Sequence, residues 1–145
     1  MRMKKLLLSL LVLAGCTAAQ AFDFDGIDLN GNVVEVTRQI SQRGYVYNTE
    51  RDCLVGTCQG TEIYLSINYR DSSQKNKIGQ LVVDVPMTEK DALDVIVNTF
   101  NVVYHQVAKA AGSTTYQVSV DGTQLVVSAI EGGVRLCYNT PYFKQ

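Results

Sequence analysis

Chemistry in this chain would have to come from its cysteines, its one histidine or its carboxylates. Cys16, Cys53, Cys58 and Cys137 are the thiols, and His105 is the only imidazole. Cys53 and Cys58 have Cys-x4-Cys spacing, which in an oxidising compartment suggests a local disulfide. A link from either one to Cys137 stays open. Zinc needs four ligands and a catalytic thiol needs a partnered base, and the chain offers neither pattern. His105 falls on the polar stripe of an expected helix with Asn98, Asn101 and Lys109, away from any orienting acid. Asp91 and Asp94 suit the first turns of that helix, where the dipole favours acids. Asp23, Asp25 and Asp28 sit in a segment that looks at first like a calcium loop. An EF-hand needs glycine at position six and glutamate at twelve. Counting from Asp28 these are Val33 and Gln39, and counting from Asp23 they are Asp28 and Val34, so both frames fail. No catalytic residue, metal site or cofactor is expected, and the chain reads as a non-enzyme.

The elements that position these residues begin after a leader. Arg2, Lys4 and Lys5 precede an apolar run over 6–13 broken only by Ser9, and small residues follow. That is the pattern of a secretory signal, too short for a membrane span. Two cleavage sites compete. Ala19-Gln20-Ala21 fits ordinary signal peptidase and gives a signal over 1–21. Leu13-Ala14-Gly15-Cys16 resembles a lipobox, which would end the signal at 15 and make Cys16 a lipidation site. Either way the destination is the periplasm or cell envelope, in the second case with a lipid anchor on the membrane.

The chain has 145 residues, 13 basic and 14 acidic. Three basic residues and no acids lie in 1–21, so the rest carries 10 against 14, a net charge of −4. Such a balance gives no electrostatic footprint for nucleic acid. At 46% hydrophobic the chain is too apolar for disorder. No linker or repeat interrupts 22–145, which reads as one domain without a transmembrane helix.

Periodicity supplies the elements. A short strand and turn lead to Asn32 as the cap of a helix over 33–43, with Val33, Val36, Thr37 and Ile40 on its apolar stripe. Gly44 suits a left-handed helix end, and Tyr45 and Tyr47 suggest that the chain then turns into a short strand. Strands are expected over 61–69 and 78–85. Thr88 and Asp91 resemble a capping box for a long helix over 88–111, with Leu93, Ile96, Val97, Phe100, Val103, Tyr104, Val107 and Ala111 at helical spacing. Strands over 115–120, 124–130 and 134–139 follow, and Asp121-Gly122 signals a hairpin. The expected fold class is α+β: an antiparallel sheet of about four to five strands with two helices packed on one face.

The other face would be open. By alternation it carries Glu62, Tyr64, Ser66, Asn68, Gln80, Asp84, Gln117, Ser119, Ser128, Arg135 and Asn139, interleaved with Val82, Val126 and Ile130. Tyrosine on a polar sheet offers contact area at little entropic cost. Tyr64, Ser66, Asn68, Val82, Asp84, Val126 and Arg135 are the candidate binding residues.

Gly26-Ile27-Asp28-Leu29-Asn30-Gly31, the helix ending at Gly44-Tyr45, and Leu54-Val55-Gly56-Thr57-Cys58-Gln59-Gly60 leading into a strand carry a resemblance. They look like small exported proteins of Gram-negative gut bacteria whose fold is similar to one domain of the β-lactamase inhibitory protein. The resemblance covers most of 22–140 and implies a helical layer on an antiparallel sheet whose open face binds a partner protein. The chain reads as one domain rather than two and lacks a counterpart of the inhibitor's enzyme-blocking loops, so inhibition of a β-lactamase is not implied. The expected function is an exported module that binds an unidentified protein or peptide through the open face. A lipid-anchored structural envelope protein is the alternative. A hydrolase with an unrecognised site is the weaker one, and it would have to use His105.

Overall fold

The computed structural model describes residues 23–24, 27–58 and 60–144. The leader, both cleavage sites and Cys16 lie outside the described residues.

A two-stranded hairpin, β1 (Asp23–Phe24) and β2 (Ile27–Asp28), opens the fold. The Asp28 side chain accepts from the Asn30 backbone amide at 2.8 Å, which closes the next turn. Helix α1 spans Val33–Gln42. Asn32 caps it by accepting from the Glu35 amide at 2.8 Å, and Val36 and Ile40 enter the core one turn apart. Gly44, at φ +94°, reverses the chain where a side chain would be strained.

Four strands follow as a meander: β3 (Val46–Asn48), β4 (Cys53–Cys58), β5 (Thr61–Asn68) and β6 (Gln80–Pro86). Helix α2 (Ala92–Val103) leads into a second meander, β7 (His105–Ala110), β8 (Ser113–Gln117), β9 (Gln124–Ile130) and β10 (Gly133–Asn139). All eight strands join one antiparallel sheet in the order β3-β4-β5-β6-β10-β9-β8-β7. Each half is therefore a helix followed by four strands, and the last strands of the two halves, β6 and β10, pair at the centre.

The expected fold class is corrected here. Among the described residues the chain is mostly β, with an eight-stranded sheet rather than four to five strands and two short helices. Three segments account for the difference. Residues 53–58 and 46–48 extend the sheet by two strands at one edge. The long helix expected over 88–111 stops at Val103, and Tyr104 at ψ 157° turns the chain into β7. His105 thus opens an edge strand instead of lining a helix. The helix also starts later than Thr88: Asp91 stands at its N-cap position and makes no side-chain capping bond.

The core lies on one side of the sheet. Ile63 and Leu65, Leu81, Val83 and Val85, Leu125 and Val127, and Val134, Leu136 and Tyr138 alternate inward along their strands. Ala92, Ile96 and Phe100 of α2 meet them, and α2 contacts β9 and β10. Phe100, Tyr104 and Tyr116 form an aromatic cluster with ring centroids 5.6–6.3 Å apart. Each such pair adds about 0.5–1.5 kcal/mol beyond its burial. The fully buried Tyr116 also donates its hydroxyl to Val97 O at 3.1 Å and Asn101 Oδ1 at 2.9 Å, tying the helix to the sheet.

Candidate binding face

Because side chains alternate along each strand, the residues between the core positions share the opposite face, and the register sorts them into rows. The first row runs Tyr64, Asp84, Arg135, Ser128. The second runs Ser66, Val82, Cys137, Val126, Thr115, and the third runs Asn68, Gln80, Asn139, Gln124, Gln117, His105. All seven candidate binding residues are thus on one face, distributed over three adjacent rows and partly exposed. The buried residues of α1 and α2 belong to the core on the other side, so neither helix covers this face.

The first row is fixed by charge-assisted contacts. Arg135 donates from Nε to Asp84 Oδ1 at 2.7 Å and from Nη2 to Oδ2 at 2.9 Å, a two-pronged pairing that orients both planes. The pair is partly solvated, so its contribution to stability is about 0–1 kcal/mol. Tyr64 donates to Glu62 Oε1 at 2.6 Å, and the Arg51 guanidinium lies 4.4 Å from its ring centroid. The Glu62 carboxylate beside it raises the Tyr64 hydroxyl above the ordinary tyrosine range, so it stays a protonated donor.

The third row is an amide ladder. Asn68 Nδ2 donates to Gln80 Oε1 and Gln80 Nε2 donates to Asn139 Oδ1, both at 2.8 Å. The middle row is less polar, with Val82, Cys137 and Val126 side by side. Burial pushes the Cys137 thiol above its ordinary value, which favours the neutral form over the nucleophilic thiolate.

Cys53 falls one step beyond the Leu54–Leu65 pair, which places it on the middle row as well. Burial raises its thiol too, and Cys53 and Cys137 are both free. The side chain of Cys58 lies outside the described residues, but β4 runs from Cys53 to Cys58 and sets their spacing. Five extended residues put their Cα atoms about 16 Å apart, whereas a disulfide spans roughly 4–7 Å. A local Cys53–Cys58 bridge would therefore require β4 to leave this extended path. Cys137 lies three strands from Cys53, roughly 14 Å away at ordinary strand spacing.

Ser119 leaves the expected face. Strand β8 ends at Gln117, and Ser119 is buried in the following turn, where its hydroxyl bonds the Asp121 carboxylate. Gln124 and Thr115 join the face and could have been read from the same alternation as Val126 and Gln117. Arg51 reaches Tyr64 from a turn, a placement with no periodic signal. Among the described residues no three His, Cys, Asp or Glu side chains group as metal ligands, and no helix is long and apolar enough to cross a membrane.

No family model, curated protein or solved structure matches the chain.

Proposed function

We propose that the chain is an exported, non-enzymatic module that binds a protein or peptide through the open sheet face. The observation that carries this reading is a broad face left uncovered by both helices, whose polar groups are already held in place. Fixed side chains lose little entropy when a partner arrives. Planar amides, a paired guanidinium and carboxylate, and a protonated tyrosine around a strip of valine and thiol suit the mixed polar and apolar surface of a polypeptide. The resemblance to the inhibitor-like exported proteins supports the same use of the face, and the leader supports export.

Site-specific photocrosslinking in the native envelope tests it. A benzophenone side chain at Val82 or Val126 should trap a discrete partner, whereas one at Val34 of α1, 74% exposed, should not. Replacing Tyr64 by Ala should reduce trapping from Val126 while shifting the melting temperature little. Equal trapping from Val34 and Val126 overturns the assignment of the face.

The lipobox-like Leu13-Ala14-Gly15-Cys16 favours a second reading, a structural envelope protein tethered through Cys16. Intact mass of protein from its native host separates the two: a triacylated Cys16 supports tethering, and an N-terminal Phe22 removes it.

A further inference from the structure

At the sheet edge beside α1, a cleft of about 960 Å³ opens between α1 and the ends of β3, β4 and β5, and it meets the margin of the proposed binding face at Cys53, Ser66 and Asn68. Its origin is a mismatch in strand length. β5 has eight residues, but β4 pairs only from Thr61 to Leu65, so the sheet ends early beside Ser66–Asn68. Val33, Thr37 and Ser41 of α1, spaced at i, i+4 and i+8, make a second stripe beside its core stripe and form one wall. The opposite wall holds Leu54, Tyr47 and Ile67, with the fully buried Leu65 as floor.

The mouth has its own chemistry. Tyr47 and Tyr69 line the cleft and are 54% and 41% exposed, so both rings reach its solvent side. Among the described residues that line the cleft, Asp52 is the only charged one. Its backbone is left-handed at φ 52°, and its carboxylate accepts the Tyr47 hydroxyl. An apolar trough that ends in two aromatic rings and a carboxylate is complementary to a cation carried on an apolar body. The carboxylate attracts positive charge, and the ring faces attract it through their quadrupoles. An anion would meet repulsion there, and a neutral apolar molecule would gain only from the trough. The volume lies in the range of small-molecule sites, about 300–1,000 Å³.

We propose that this cleft is a second binding site, for a small cationic amphiphile: an apolar chain or ring bearing one ammonium or guanidinium group. The head group sits between Asp52 and the rings of Tyr47 and Tyr69, and the body lies along Val33, Leu54 and Ile67.

The test is a titration of isotope-labelled full domain with octylammonium, octanol and octanoate, followed by amide chemical shifts. Octylammonium should shift the amides of Thr37, Leu54, Ile67 and Tyr69 saturably, with those of Val82 and Arg135 on the other face unmoved. Octanol should bind more weakly and octanoate weakest. Asp52→Asn keeps a residue type that tolerates the left-handed backbone. It should weaken octylammonium roughly three- to five-fold and leave octanol unchanged. Octanoate binding as well as octylammonium, shifts centred on the open face, no response to any of the three, or an unaffected Asp52→Asn variant would each overturn the proposal. The open-face reading would stand in all of these cases, because its crosslinking result is independent.

Discussion

Gly56 offers the sharpest mechanical test of the strand edge that shapes the cleft. It lies in β4 opposite Ile63, on the core side, and the ring of Tyr45 rests directly over it. A Cβ added there would sit 2.1 Å from Tyr45 Cδ1 and 2.3 Å from Cε1. Carbon atoms pack at about 3.5–4.0 Å, so the ring would have to move by roughly 1.5 Å. Tyr45 is only 5% exposed, and its neighbours leave little space for that movement. Gly56→Ala should therefore cost about 2–3 kcal/mol, the upper part of the overpacking range. For a domain of this size the melting temperature falls by roughly 8–12 °C. In a Tyr45→Ala background the obstacle is gone. There the same Gly56→Ala change should be neutral, or stabilising by up to about 1 kcal/mol through lower unfolded-state entropy. Urea melts of the four proteins give the coupling energy directly. A coupling below about 0.5 kcal/mol would refute the account, because Gly56→Ala would then be costing stability through something other than the Tyr45 ring.

Two further outcomes follow from the core. Tyr116→Phe removes the hydroxyl bonds to Val97 and Asn101 without changing ring packing, so it should cost about 1–2 kcal/mol; a urea midpoint equal to the parent's would show that these bonds do not tie α2 to the sheet. Burial holds the fully buried Tyr138 hydroxyl well above the ordinary tyrosine value, with Tyr104 adding to the effect. A tyrosine held above its unfolded pKa keeps its proton when folded and loses it when unfolded. Its contribution is thus complete below about pH 10 and is lost as pH rises past that value, at about 1.4 kcal/mol per pH unit. Denaturant melts at pH 8 and pH 10.5 should show this decline, and Tyr138→Phe should reduce its slope; an unchanged slope in the variant would remove Tyr138 as its source.

Legibility in the sequence followed burial. The strands with one buried and one open face, β5, β6, β9 and β10, were read within about two residues of their ends because period-two alternation marks them. Helix α1 was read from its Asn32 cap and its Val36–Ile40 stripe. The seven face residues came from the same alternation. The misread segment was β7, where all six residues are exposed and neither face carries an apolar signal. Val103, Tyr104 and Val107 continue the helical spacing of Phe100, so the pattern extends a helix through what is a strand. Strand β3 is legible from Tyr45 and Tyr47 after Gly44, whereas β4 is not: only part of it packs on the core, and its glycine reads as a turn residue until Tyr45 is seen covering it. The cleft was illegible because it is created by unequal strand lengths, and only pairing reveals those.

The pairing of β6 with β10 has a consequence for how the molecule is made. These two central strands belong to different halves of the chain, and the Asp84–Arg135 contact between them joins residues 51 positions apart. Until β10 is available, the first half ends in β6 with Leu81, Val83 and Val85 on one face and an unpaired backbone edge. A strand of that kind is a template for wrong partners. A chain that crosses a membrane from its N-terminus would display this edge before its complement emerged. A strand at the centre of the finished sheet is thus an open edge while the sheet is being assembled.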